Sequence, residues 1–186
     1  MLFPPSGRRS FLKRSLLVTL AVGGSGFACA HELMAAVSPT RRLSLYHLHT
    51  GEKLTITFRD PKGNHIPPAL AEINRLLRCH HTDEIHPIDP DAIDYLSLVD
   101  SKLGGGNEFH IISGYRSLEY NKRLLRQGRQ VAPRSLHLVG RALDVRVHGI
   151  STANLRRAAL DLKLGGVGYY PRSDFVHLDS GAFRAW

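Results

Sequence analysis

Ser135-Leu136-His137-Leu138-Val139-Gly140-Arg141-Ala142-Leu143-Asp144-Val145-Arg146-Val147 is the stretch that decides the fold. From Ala142 onward it alternates, with Leu143, Val145 and Val147 on one face and Ala142, Asp144 and Arg146 on the other. That two-residue period belongs to a strand with one apolar face. The segment before it is a loop ended by Gly140. Asp144 therefore points away from the apolar packing, and His137 meets it if the loop folds back.

Working outward from this strand, the chain alternates helices and strands. Downstream, Thr152 to Leu162 has helical spacing with Ser151 as a candidate cap, and Gly165-Gly166 follows. Two short strands are expected next, Val167 to Tyr170 and Phe175 to Asp179, the second carrying His177 and Asp179 on one face. Upstream, Phe109 to Ile112 reads as a buried strand emptying into Ser113-Gly114-Tyr115-Arg116-Ser117. A short helix then runs from Leu118 to Gln127 and stops at Gly128. Asp89-Pro90 starts another helix, with Ile93, Leu96, Val99 and Leu103 at helical spacing, and a further one begins near Pro67-Pro68. Leu43, Leu45 and Leu48, then Leu54, Ile56 and Phe58, flank Thr50-Gly51-Glu52 as a hairpin. The expectation is an α+β fold over residues 42–186: a single compact domain, a small antiparallel sheet with helices packed on it.

A length of 186 residues suits one domain with a real core, and 42% hydrophobic with 22% charged residues is ordinary for a globular chain. The net charge is +9, but four of those cations, Arg8, Arg9, Lys13 and Arg14, lie within residues 1–30, which hold no acid. Without that segment the charge falls to +5, and the remaining basic residues are scattered among acids. No basic stripe interleaved with aromatics is present, which argues against a nucleic-acid partner.

Residues 1–30 look like an address. Gly7-Arg8-Arg9-Ser10-Phe11-Leu12-Lys13 is a twin-arginine pattern, and Ser15 to Ala28 is an apolar, Gly-rich run. That run is short for a membrane span, which needs about 20 apolar residues. Ala28-Cys29-Ala30 supplies small residues for a signal-peptidase site. The expectation is export to the periplasm by the twin-arginine route, with residues 31–41 as a linker and no stable membrane span once the signal is removed. A retained anchor is the plainer alternative. Cleavage would leave Cys79 without a disulfide partner, and a lone thiol of this kind is more often buried than reactive.

The chemistry gathers in three segments: Ser113 to Ser117, Ser135 to Asp144, and Asp174 to Asp179. His nitrogen and carboxylate oxygen are ordinary zinc ligands, and a catalytic site keeps three protein ligands and an open position. His137, Asp144 and His177 make such a set. Taken singly, they fit a loop histidine, a strand-end carboxylate and a core histidine equally well. His47, His49, His80 and His81 could suggest a second metal site, but too few convergent ligands accompany them. Tyr115, Tyr169, Tyr170 and Trp186 could line a groove, with core packing as the alternative use.

Ser135 to Asp144 matches the pattern Ser-x-His-x-x-Gly-x-Ala-x-Asp. With His177 following near the C-terminus and the Ser-Gly-Tyr-Arg-Ser segment before it, the chain resembles the zinc D-Ala-D-Ala carboxypeptidases and related murein endopeptidases. Leu45 to Glu52 and Gly165 to Arg172 make the likeness closer to the endopeptidases, over nearly the whole mature chain. The resemblance implies a zinc peptidase that hydrolyses peptide cross-links of peptidoglycan, with stem peptides as partners and Zn²⁺ held by His137, Asp144 and His177 at the sheet face. It assigns Arg116 to the oxyanion. Asp174, three residues before His177, takes the position of the catalytic Glu in several relatives, and Asp179 is its rival as base or as orienting group. A D-Ala-D-Ala carboxypeptidase and a wall-binding module with a structural zinc are the alternatives.

Overall fold

In the computed structural model, which describes residues 40–129 and 131–186, the strand Ala142–Val147 lies at the centre of a seven-stranded sheet. In chain order the elements are β1 (Arg41–His47), β2 (Lys53–Arg59), α1 (Pro67–Leu76), α2 (Pro90–Lys102), β3 (Glu108–Ser113) and α3 (Leu118–Arg126). They continue with β4 (Ala142–Val147), α4 (Thr152–Leu162), β5 (Gly166–Tyr170), β6 (Phe175–Asp179) and β7 (Arg184–Ala185). The sheet order is β2-β1-β3-β4-β6-β5-β7. The expected signal, residues 1–30, and most of the expected linker lie outside the described residues. Arg41, placed at the linker's end, opens β1.

The α+β class holds, while the sheet is larger than expected and mixed. β1 pairs with β3 in parallel and β5 with β7 in parallel, and the other pairings are antiparallel. A parallel neighbour requires a crossover rather than a hairpin, and α1 and α2 supply it between β1 and β3.

Local chemistry explains where the helices begin. The Asp89 side chain accepts from the Asp91 N–H, with Pro90 as the first helical residue of α2. Ser117 caps α3 by accepting from Tyr120, and Ser151 caps α4 by accepting from Asn154. Leu143, Val145 and Val147 of β4 then join Phe109 and Ile111 of β3, Val176 and Leu178 of β6, and Ile93, Leu96 and Leu155 of the helices in one core. Fully burying each such side chain contributes about 1.5–3 kcal/mol. The Tyr95 hydroxyl donates to the Ala159 carbonyl at 2.9 Å, pinning α2 to α4. Cys79 is buried in this core beside Ser117, consistent with packing rather than reactivity. Among the described residues, no helix is long and apolar enough to cross a membrane.

Three of the four histidines near the hairpin, His47, His49 and His80, pack as a cluster of aromatic rings, and none of the four belongs to a convergent ligand group among the described residues. His49 and His80 lie nearly parallel with centroids 4.1 Å apart, and His47 tilts against both. His81 sits apart from this group, against Tyr120 and Arg123. Burial lowers the pKa of His47 from 6.5 to about 4, helped by neighbouring His49 and Arg78. Burial likewise brings His80 to about 4, helped by His49 and His47. Both rings are therefore neutral when folded, and protonating them opposes folding. Their contribution is intact above 6.5, the unfolded value, and is lost as pH falls through about 4. Melts of the metal-free protein should lose stability across that window, and His80→Phe, which keeps the stack but cannot titrate, should flatten the slope. An identical slope in His80→Phe would remove His80 from the account.

Candidate metal centre

Each of the three proposed ligands is placed by a separate local device. His137 lies in a 3-10 turn, Leu136–Val139, whose N-terminus is capped by the Ser135 hydroxyl accepting from the His137 N–H. Gly140 ends the turn in the left-handed region at φ 66°, and a Cβ there would collide with the Pro87 carbonyl. This pair of constraints accounts for the motif's Ser and Gly. Asp144 and His177 face each other directly across the antiparallel β4–β6 pair. Cross-strand partners of this kind hold their Cβ atoms about 5 Å apart.

The donor atoms converge. His137, Asp144 and His177 each offer one ligand atom, and these lie within 4.8 Å of one another. His137 Nε2 is 3.3 Å from Asp144 Oδ2 and 3.3 Å from His177 Nδ1, and His177 Nδ1 is 2.8 Å from Asp144 Oδ1. The outward nitrogen of each ring is engaged. His137 Nδ1 donates to the Gly114 carbonyl at 2.7 Å, and His177 Nε2 donates to Asp179 Oδ2 at 3.2 Å. Those bonds fix the tautomers so that His137 Nε2 and His177 Nδ1 present lone pairs inward once His177 sheds its extra proton. The donor set and its supports fit a metal ion.

Electrostatics inside the cluster follow from burial opposed by pairing. Burial alone would raise the Asp144 carboxyl, but the charges and hydrogen bonds of His137 and His177 hold it well below the usual carboxylate range. Burial pushes His137 down, and Asp144 offsets only part of that. For His177 burial also acts downward, yet the hydrogen bonds of Asp144 and Asp179 prevail and lift it to about 9.

Asp179 is enclosed and fully committed. Arg184 grips both its oxygens, at 3.0 and 2.6 Å, and the Gly166 and Gly181 N–H groups donate to Oδ1 at 3.2 and 2.8 Å. Burial would raise this carboxyl, but His177, Arg184 and Gly181 together keep it low. It is an anionic support for His177, with no free edge toward solvent. Asp179→Asn is expected to weaken metal binding by about 10–100-fold, measured by competition with a chromophoric chelator. Unchanged affinity would sever Asp179 from the ligand.

A basin of about 420 Å³ opens over the three residues. Arg116, Arg134 and Arg184 stand around it, with Tyr170, Phe175 and Trp186 as its aromatic wall. Asp144 is the one carboxylate among the described residues lining it. Arg116 is buried, with Nη2 3.5 Å from Asp144 Oδ2, and its backbone N–H donates to the His137 carbonyl at 3.1 Å. The Trp186 indole donates to the Tyr170 hydroxyl at 3.0 Å and its ring lies 5.4 Å from that of His177.

Not every candidate arrives here. Asp174 sits in the left-handed region at φ 51°, largely exposed, with its carboxylate 3.3 Å from Arg146 and outside the basin. Tyr115 is buried, donating to Glu84 and stacking on His86, and Tyr169 packs against the core. Arg134, Phe175 and Arg184 were not foreseen. Arg184 belongs to a two-residue strand with no periodicity to mark it.

The sequence profile of the Peptidase_M15_2 family, described as peptidoglycan L,D-endopeptidase MepK, matches residues 35–186. The chain belongs to this family. Curated relatives agree. The peptidoglycan L,D-endopeptidase MepK of Escherichia coli strain K12 is 40% identical over 178 residues, covering 90% of this chain and 94% of the relative. The same figures hold for the protein of that name in Shigella flexneri. The probable peptidoglycan L,D-endopeptidase MepK of Haemophilus influenzae is 36% identical over 154 residues, 82% of each chain. The matched region contains His137, Asp144, His177, Arg116 and the enclosed Asp179.

Proposed function

We propose that this protein is a zinc-dependent endopeptidase that hydrolyses L,D peptide cross-links of bacterial peptidoglycan. The observation that carries the reading is the convergence of His137 Nε2, Asp144 and His177 Nδ1 at the floor of an open basin, with each ring's other nitrogen already bonded. Two imidazoles and a carboxylate favour zinc over copper or iron–sulfur chemistry, and three protein ligands leave a position open. When bound there, zinc would supply a Lewis acid that lowers the pKa of water to about 7 and polarises a carbonyl. The relatives' names supply the substrate class.

The chain's own groups do the rest. Arg116 stands beside the ligand set, where its guanidinium can receive the oxygen that gains charge as the peptide carbonyl is attacked. Trp186 and Tyr170 form a wall against which a stem peptide can lie. Arg134, with no ion pair among the described residues, leaves the basin with positive charge suited to carboxylate-bearing stems. Asp174→Ala is expected to keep zinc and near wild-type turnover, because its carboxylate is paired with Arg146 outside the basin. A collapse in turnover at constant zinc content would restore it as the base.

The deciding experiment digests purified cross-linked muropeptide dimers. L,D-linked dimers should yield monomers. Shortened but still linked products would instead favour a carboxypeptidase, and no hydrolysis before or after chelation and zinc restoration would favour a wall-binding module. The twin-arginine pattern supports export to the periplasm, tested by fractionating cells that express the chain with Arg8 and Arg9 replaced by Lys.

A further inference from the structure

Helix α3 hides one residue, and that residue is polar. Asn121 is 1% exposed, while Leu118 and Leu125 of the same helix are 55% and 37% exposed. Asn is a poor helix former, and burying its amide is costly unless both ends are bonded. Both ends are. Oδ1 accepts from Arg116 Nη1 at 3.3 Å, and Nδ2 donates to the Ala132 carbonyl at 3.2 Å. The amide's orientation follows from its partners, since a guanidinium only donates and a carbonyl only accepts.

The rest of Arg116 is loosely held. Its Nε is buried without a partner, and its other side-chain contact with a described residue is the 3.5 Å approach to Asp144. Asn121 is thus the group that fixes the rotation of the guanidinium about its long stem. The same amide fastens the segment 131–135, which forms one side of the basin. A helix that gives its buried position to a hydrogen-bonding side chain, and leaves leucines in solvent, sacrifices packing for placement.

We propose that Asn121 is a positioning residue that aims Arg116 across the basin and ties that aim to the basin wall. The inference rests on the role given to Arg116 above. It is tested by a double-mutant cycle on L,D-linked muropeptide dimers, using Asn121→Ala, Arg116→Ala and the pair. Asn121→Ala should lower kcat by about tenfold with KM and zinc content little changed, and should lower it no further in the Arg116→Ala background. Equal losses in both backgrounds, or wild-type kcat in Asn121→Ala, overturn the proposal. Asn121→Asp covers the case in which the alanine variant fails to fold. It keeps the volume and the acceptor for Arg116 and gives up the donor to Ala132, so its kcat should fall, but by less than the roughly tenfold loss expected of Asn121→Ala. A tenfold or greater loss in Asn121→Asp also overturns the proposal. A wild-type kcat in Arg116→Ala alone would instead sink the role given to Arg116.

Discussion

Asp144→Asn should yield a protein that folds, binds zinc more than about a hundredfold less tightly, and releases no measurable monomer from cross-linked dimers. Losing an outer partner of a zinc ligand already costs roughly 10–100-fold, and Asp144 is the proposed anionic ligand itself. The amide removes the charge and turns an N–H₂ toward ring nitrogens that must keep their lone pairs free. A stability effect should accompany it. Asp144 is the main partner of His177, whose pKa it helps raise to about 9. Breaking a buried pair by removing one member costs about 3–5 kcal/mol, so the metal-free variant should melt below the metal-free parent near neutral pH. Elemental analysis after gel filtration, with a thermal melt, measures both. Full zinc occupancy and turnover in Asp144→Asn would refute the ligand assignment.

The second large effect is expected at Arg116. Arg116→Ala should reduce kcat by roughly 10²–10³, equivalent to about 3–4 kcal/mol of transition-state stabilisation, with zinc content intact. Arg116→Lys should not recover it. The guanidinium's planar fork serves Asn121 and Asp144 at once, while an ammonium is a point donor on a flexible stem. The split between parameters matters: a raised KM at unchanged kcat would mean that Arg116 binds the substrate equally well before and during reaction.

Much of this was legible in the chain before folding. β4 and α4 occur at the expected bounds because strict alternation and a Ser cap are local signals. His137 is placed by a capped turn, a local signal, while Asp144 and His177 meet through the long-range pairing of two strands whose alternation was legible one strand at a time. Other features were not legible. The parallel pairing of β1 with β3 depends on where two helices carry the chain, which no period of two reveals. Asp174 stands three residues before His177, yet its left-handed backbone directs the carboxylate to Arg146. Asp179 shared a face with His177 as expected, but its enclosure depends on Arg184, whose strand is too short to announce itself. Asn121 breaks the apolar pattern of its helix, the kind of irregularity that marks a demand from elsewhere in the molecule.

The opposition of Asp144 and His177 across β4 and β6 has a consequence for assembly. Side chains alternate along a strand, so sliding β6 by one residue would bring Val176 or Leu178 opposite Asp144 and bury an imidazole among aliphatic groups. An ion held by the proposed ligands would need the observed alignment. Metal bound by the proposed ligand set would therefore favour the joining that sets these two residues opposite each other, and a slipped joining would lack a complete site.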